Sequence, residues 1–285
     1  MKKILFIFLI LIGLYVVFHN FFDLDLFNLG GQDHQGVISD NINQIDIDVS
    51  SVSTNIIPEN RNNIKADLNG KGKVIINRNG NKITVSAKVN WFDWFNFSNK
   101  AKLNIYIPED YHRNMRINLG SGNLTFSGHS QNKPMKLDEL SLDIGSGNVE
   151  LKNLEVNQLI HDEASGNVAV SSLTTKSGSF DISSGSLDIK HYSGAIDAQL
   201  SSGRLDLQID KLKDSVDIEV SSGQVQLDLP NQADFTLNGK ASSGTISCDF
   251  PLNSKEINTK TINGKHGSGK NKINLTVSSG SIKIY

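Results

Sequence analysis

Acidic side chains recur in this chain at fixed offsets from a repeated Ser-Gly pair. They stand four residues before the glycine or three residues after it, and the clearest examples are Asp143, Asp162, Asp181, Asp188 and Asp206. Carboxylates at regular spacing could bind cations, contact carbohydrate hydroxyl groups, or form the paired carboxylates of a polysaccharide-cleaving enzyme. The same spacing also fits the solvated face of an alternating strand, where charge discourages sheet aggregation. The alternation favours this second interpretation.

His161, Asp162 and Glu163 interrupt the repeat pattern. His161 and Glu163 occupy positions that are apolar in most other copies. A buried polar group without a partner costs about 1–3 kcal/mol, so this repeat is either locally irregular or holds a site.

The stretch from Gly264 to Asn271 nearly matches a phosphate-binding loop. Asn271 stands where the magnesium-binding Ser or Thr would be, and the flanking residues alternate as strands do. No helix N-terminus follows to receive phosphate groups. We therefore predict no nucleotide site, and no residues predict a cofactor or a metal site.

Aromatic residues are concentrated between positions 91 and 97. Four of them, Trp91, Phe92, Trp94 and Phe95, are candidate contacts for a membrane interface or a glycan. The alternative is a hydrophobic cap on one end of the folded domain.

The repeat itself predicts the elements that position these residues. Each copy has Ser before Gly, apolar residues mostly three and five positions before Gly, and apolar residues two and four positions after it. Its eight glycines are Gly122, Gly147, Gly166, Gly185, Gly203, Gly223, Gly244 and Gly280. Each copy is therefore a strand, a tight corner and another strand.

Two architectures fit such a repeat. In a chain of hairpins, Ser would occupy a turn position that favours Gly, Asn or Asp. In a β-solenoid, small residues stack at crowded corners about 4.8 Å apart and Gly takes the left-handed conformation. Gly-to-Gly steps of 19, 19, 18, 20 and 21 residues between 147 and 244 favour the solenoid, with 19–20 residues per coil. Two longer steps predict loops near 128–135 and 252–269.

The N-terminus predicts a membrane anchor. Lys2 and Lys3 precede an apolar run from Ile4 to Phe18, which is followed by His19, Asn20, Phe21 and Phe22. The segment from Ile4 to Phe22 is barely long enough to cross a bilayer. No small-residue cleavage site follows, so an uncleaved signal anchor is favoured over a secreted or buried helix. The positive-inside rule places the remainder outside the cytoplasm. The predicted organisation is an anchor at 1–22, a linker at 23–36, an N-terminal strand region at 37–110 and the repeat solenoid at 111–285.

Composition narrows the range of partners. The chain carries 28 Lys and Arg residues against 30 Asp and Glu residues, which gives no reason to expect nucleic acid. The single cysteine, Cys248, falls at an inward repeat position and is interpreted as a small core residue. No catalytic triad or nucleophile elbow is present, so we expect no enzyme activity.

The combined features resemble the bacterial putative-adhesin β-solenoid family. They are the Lys-Lys anchor, Leu103-x-Ile105-x-Ile107-Pro108, the Ser-Gly repeats, and the ending Val277-Ser-Ser-Gly280-Ser-Ile-Lys-Ile. Among its members the chain is most similar to membrane-anchored LiaG-type proteins of envelope-stress operons. The resemblance implies a non-enzymatic binding or structural role at the cell envelope, with membrane lipid, a cell-wall polymer or membrane signalling proteins as partners. A β-helix enzyme acting on wall or capsule polysaccharide and a regulator of a signalling system remain alternatives.

Overall fold

The computed structural model describes residues 35–38, 41–88, 101–258 and 260–285, and within these ranges it contains 22 strands and no helix. The N-terminal strands are β1 (Gln35–Val37), β2 (Gln44–Val49), β3 (Val52–Glu59), β4 (Asn63–Asn69), β5 (Lys73–Asn79), β6 (Lys82–Lys88), β7 (Lys102–Pro108), β8 (Asn114–Leu119) and β9 (Gly122–Ser127). The middle strands are β10 (Met135–Ile144), β11 (Asn148–Glu163), β12 (Asn167–Ile182), β13 (Ser186–Leu200), β14 (Arg204–Ile209), β15 (Val216–Val220) and β16 (Gln224–Asp228). The C-terminal strands are β17 (Phe235–Ala241), β18 (Thr245–Cys248), β19 (Asn253–Ile257), β20 (Thr261–His266), β21 (Asn271–Val277) and β22 (Ser281–Ile284).

Successive repeats stack as parallel coils. β11 pairs in register with β10 on one edge and with β12 on the other, and β12 pairs with β13 in the same way. Because side chains alternate along each strand, the inward apolar residues form continuous rows through the core. The predicted all-β class and the β-solenoid are both confirmed.

Two kinds of corner turn the chain within each middle coil. At the Ser-Gly corner, the N–H of Ser184 donates to the carbonyl of Ala164 at 3.0 Å, so neighbouring corners are hydrogen-bonded. At the second corner, Asn153, Ser172 and His191 adopt left-handed φ angles of 53°, 62° and 60°. The repeat pattern does not reveal the second corner, because these three residues share no side-chain type.

Close approach of the backbone explains the glycines better than the left-handed conformation does. Only Gly122, Gly147 and Gly166 among the eight have positive φ angles, of 110°, 128° and 140°. A Cβ on Gly223 would lie 2.4 Å from the carbonyl oxygen of Gly203, and one on Gly280 would lie even closer to that of Gly223. The left-handed conformation expected from the sequence is therefore wrong for five of the eight copies.

The coils at the C-terminal end do not stack in sequence order. β21 lies between β15 and β17, and β22 lies between β16 and β18. The last repeat, around Gly280, is thus inserted between the repeats around Gly223 and Gly244. The preceding 36-residue step contains the antiparallel hairpin β19–β20, which pairs with β17, where the sequence predicted a loop.

The N-terminal end is interleaved in the same way. β2 lies between β6 and β8, and β3 lies between β7 and β9. Its corner is Ser50-Ser51, which stacks on Ser121 although it lacks the glycine that marks the other copies. Residues 44–59 therefore form a coil of the same solenoid as the repeats.

Antiparallel strands extend the N-terminal end. β5 pairs with β6, and β4 pairs with β7 and β1. Among the described residues no helix is long and apolar enough to cross a membrane, and the predicted anchor at 1–22 lies outside them. The anchor therefore stays a prediction.

Candidate functional site

A shallow groove runs along the outside of the stacked Ser-Gly corners. It has a volume of about 650 Å³. Its walls are serine side chains, glycine backbone and three longer polar residues, contributed by five stacked repeats. The lining residues are Gly166, Asn167, Ser184, Gly185, Ser186, Ser202, Gly203, Arg204, Ser222, Gly223, Gln224, Ser279, Gly280 and Ser281. We call this feature the corner groove.

Three predicted aspartates come together on the strand before the corner. Asp143, Asp162 and Asp181 are direct register partners on β10, β11 and β12, and all three side chains are exposed. Partial burial and the two flanking carboxylates raise the pKa of Asp162, while Arg116 acts in the opposite direction. We call these three residues the aspartate column.

The other two predicted aspartates lie on the strand after the corner. Asp188 and Asp206 are register partners on β13 and β14. Each is close to a cation on its own strand: Arg204 donates to Asp206 at 2.8 Å, and the Lys190 amine lies 3.9 Å from Asp188. This pair is therefore locally neutralised, whereas the described contacts give the aspartate column no ion pair.

Amide ladders flank these carboxylates, and the sequence analysis did not identify them. The Asn148 side-chain amide donates to Asn123 at 3.0 Å, and the Asn167 amide donates to Asn148 at 3.2 Å. Asn167 also lines the corner groove. Identical amides one coil apart could have indicated a ladder, because each can donate to the previous one and accept from the next.

His161 and Glu163 point into the core. Their side chains are 1% and 0% exposed, and His161 Nε2 lies 3.7 Å from Glu163 Oε2. No polar side-chain atom of either residue has a hydrogen-bond partner. Burial lowers the pKa of His161 to about 4 and raises the pKa of Glu163. The coil around them is regular, so local irregularity does not explain this pair.

The phosphate-loop resemblance has a structural explanation. Residues 267–270 connect β20 to β21 across the start of β17, where they surround the Asp234 carboxylate. Ser268 Oγ donates to Asp234 at 2.6 Å, and the backbone N–H groups of Gly269 and Lys270 donate at 2.6 and 2.9 Å. An anion-binding loop is therefore present, but this protein's own carboxylate occupies it.

The predicted aromatic contacts Trp91, Phe92, Trp94 and Phe95 lie outside the described residues.

Cys248 lies at an inward position of the terminal coil, where partial burial raises the pKa of its thiol. The described part of the chain contains no group of three or more His, Cys, Asp or Glu side chains that could hold a metal ion.

Comparison with known proteins identifies the family. The Toastrack DUF4097 family matches residues 42–285, which include both the N-terminal coils and the repeats. The chain belongs to this family. No sequence among curated proteins matches it.

Three proteins of known structure are similar to this chain at low sequence identity. A putative adhesin from Bacteroides fragilis is 15% identical with a TM-score of 0.50, and the alignment covers 88% of this chain and 95% of that one. A putative adhesin from Parabacteroides distasonis is 12% identical with a TM-score of 0.44, covering 88% and 95%. A putative cell adhesion protein from Clostridium sporogenes is 13% identical with a TM-score of 0.25, covering 88% and 96%. The Toastrack match over residues 42–285 confirms the β-solenoid family of unknown function that the sequence predicted.

Proposed function

We propose that this Toastrack protein is a membrane-anchored, extracytoplasmic and non-enzymatic module that binds a polymer of the bacterial cell envelope. The aspartate column carries the proposal. Three exposed carboxylates in register repeat at the strand spacing of about 4.8 Å and have no described ion-pair partner. Like charges at this distance destabilise a sheet, so their retention needs a benefit outside folding.

The corner groove supports a polymeric ligand. It extends across five stacked repeats and presents hydroxyl, amide and backbone groups rather than one enclosed pocket. Hydroxyl-rich chains such as glycans form hydrogen bonds with groups of this kind. An anionic wall polymer would be repelled by the aspartate column unless a divalent cation bridged the two, so binding to such a polymer should depend on calcium.

The cellular location of the solenoid is part of the same proposal. The lysines at positions 2 and 3 and the apolar run after them support an anchor with the solenoid outside the cytoplasm. The LiaG-type resemblance supports a connection with envelope stress.

Cosedimentation would test the proposed function. The full-length protein in detergent is mixed with peptidoglycan sacculi, teichoic acid or anionic liposomes, with and without calcium. We expect saturable binding to one wall polymer, weakened roughly tenfold, or about 1.4 kcal/mol, in the triple variant D143N/D162N/D181N. The matched control is D188N/D206N, which removes the neutralised carboxylates and should bind as the wild type does.

Other outcomes would contradict the proposal in distinct ways. Absence of polymer binding, with a membrane protein recovered by crosslinking, would indicate a regulatory scaffold. Release of unsaturated sugars from a wall or capsule polysaccharide would indicate an enzyme.

A further inference from the structure

The buried pair of His161 and Glu163 replaces two aliphatic residues in rows that are otherwise apolar. The register partners of His161 are Leu142 and Phe180, and those of Glu163 are Ile144 and Ile182. Among the described residues, these are the only ionisable side chains of the His, Asp, Glu, Lys and Arg types that are buried. A pair of this kind costs stability, so its presence needs a reason beyond packing.

The groups around the pair leave it electrostatically isolated. β10 and β12 contribute the four apolar partners, and the Phe180 ring lies 6.0 Å from the His161 ring. From β13, Tyr192 packs against Phe180, but its hydroxyl bonds to Thr175 and to the carbonyl of Ala195. On β11 itself, Asp162 points outward into the aspartate column, beside Asp143 and Asp181 and within range of Arg116. Each member of the pair is therefore the nearest ionisable group to the other.

The Glu163 carboxylate lies directly beneath the floor of the corner groove. A Cβ on Gly185 would collide with the Glu163 carboxylate, and one on Gly166 would lie 3.4 Å from Glu163 Oε1. The Ser186 N–H donates to the Gly166 carbonyl at 3.0 Å, and it is also near enough to Glu163 to favour the ionised carboxylate. Gly166, Gly185 and Ser186 all line the corner groove.

We infer that the His161–Glu163 pair holds one proton, and that loss of this proton as pH rises loosens the Ser-Gly corner at Gly166 and Gly185. A carboxylate that ionises beneath the corner competes with the Gly166 carbonyl for the Ser186 N–H, which is a hydrogen bond between coils. The corner groove is then most rigid under mildly acidic conditions. This inference rests on the proposed function only in assigning a binding role to the groove.

Proton counting gives the pH dependence. When the corner opens, the pair regains ordinary pKa values of about 6.5 for His and 4.5 for Glu. Between these values the closed and open forms both hold one proton, so opening is independent of pH. Above pH 6.5 the open form holds no proton, so the opening of a closed form that still holds its proton increases with pH, by at most about tenfold per pH unit. Below pH 4.5 the open form holds two protons, and opening increases again until His161 is protonated in the closed form near pH 4.

Amide hydrogen exchange of the full-length protein measures this opening. The labelling time in deuterated buffer is scaled to the intrinsic amide exchange rate at each pH. Remaining differences in deuterium uptake then report changes in protection. We expect protection at residues 165–167 and 184–186 to fall as pH rises above 6.5, by at most about tenfold per pH unit. Amides of the distant corner at 222–224 provide an internal reference and should not follow this change.

Single variants shift the profile in opposite directions. Without the imidazole, H161L should move the onset of opening from about pH 6.5 down to about 4.5. Without the carboxyl, E163Q should abolish the alkaline effect and leave opening that increases as pH falls below 6.5. The double variant H161L/E163I restores the aliphatic rows and should show no pH dependence. E155Q, at an exposed position of the same strand, should give the wild-type protection profile.

The experiment can overturn the inference independently of ligand binding. The inference would be refuted if protection at 165–167 and 184–186 followed the same pH dependence as protection at 222–224, both in the wild type and in H161L/E163I. This test does not depend on whether a polymer binds. A failure of the proposed function would instead appear as absent polymer binding at all pH values, with the corner response unchanged.

Discussion

The Asp234 carboxylate secures the connection between β20 and β21. Its bonds from Ser268 and two backbone N–H groups lower its pKa to about 2, against an ordinary value of 3.8. A carboxyl with a lowered pKa contributes stability that is complete above its unfolded value and is lost as pH falls through the folded one. We expect the melting temperature of the wild type to fall between pH 4 and pH 2 partly through this group.

The variant D234N should melt at a lower temperature than the wild type at pH 7, and the difference should shrink towards pH 2. Circular dichroism melting curves across this range provide the measurement. D214N, in the exposed segment between β14 and β15, serves as a control. An equal difference at pH 7 and pH 2 would mean that the carboxylate charge has no role.

The buried pair gives a second prediction at the residue scale. Replacing both partners of a buried polar pair by apolar groups of similar shape is nearly neutral or stabilising, whereas removing one partner leaves the other unsatisfied and costs about 1–3 kcal/mol. H161L/E163I should therefore be at least as stable as the wild type, and H161L alone should be less stable at pH 7. Urea unfolding distinguishes these outcomes, and additive effects of the two substitutions would show that the residues do not interact.

At the scale of the corner element, glycine is required because the backbones of neighbouring coils approach closely. A positive φ angle is not the reason. Gly223 does not have a positive φ angle, yet an added Cβ would lie 2.4 Å from the Gly203 carbonyl oxygen. G223A should destabilise the protein by about 1–3 kcal/mol or more, because neighbouring coils must separate.

The informative control for this substitution is G80A. Gly80 has a φ of 60° but no atom within 4 Å of an added Cβ, so only backbone strain of about 1–2 kcal/mol applies. Chemical denaturation measures both variants. A smaller loss in G223A than in G80A would contradict the role assigned to stacking.

The terminal unit at 235–266 is joined to the other coils through the last repeat. Among the described strands, β17 and β18 pair with the solenoid only through β21 and β22. Leu275 on β21 is 2% exposed, and its replacement by alanine should cost about 2–5 kcal/mol. In L275A, native-state hydrogen exchange of β17 and β18 should accelerate together with that of β21.

The matched control is L159A, at an equally buried position in the middle of the solenoid. It should destabilise the protein without selectively releasing β17 and β18. Equal acceleration of β12 and β17 in L275A would show that the terminal unit does not open separately.

The sequence predicted the coil because each repeat carries its own corner and apolar positions. It could not predict the order of coils, since the repeat around Gly280 has inward positions compatible with either neighbour. It also missed the Ser50-Ser51 corner, where close packing does not require glycine. Of the candidate site, alternation placed the five aspartates correctly on outward faces, but the neutralisation of Asp206 depends on Arg204 two residues earlier on the same strand.

At the scale of the whole molecule, the described coils differ in the sequence separation of their paired strands. Middle coils pair with their neighbours in sequence, whereas both ends contain a strand inserted from a distant part of the chain. Partners in the middle coils are about 19 residues apart, as for Asp143 and Asp162, whereas β2 and β8 pair residues such as Gln44 and Asn114. At each end, two neighbouring strands must therefore stay far enough apart for a strand from a distant part of the chain to insert between them. Only then do their backbone edges have hydrogen-bond partners. This arrangement couples the terminal coils to the centre and opposes stepwise fraying, which a simple repeat array permits.

The same topology predicts the order of folding. Closing the longer loops at the ends costs about 1 kcal/mol more chain entropy than closing one coil, and non-local strand pairing is slow. We expect β11, β12 and β13 to gain protection first in pulse-labelled hydrogen exchange during refolding, and β21 and β22 to gain it last. Interrupted-unfolding experiments separate proline isomerisation from this order, because a short unfolded interval leaves the prolyl bonds native. Protection of β21 at the same time as β12 would show that insertion of the last repeat is not a late step.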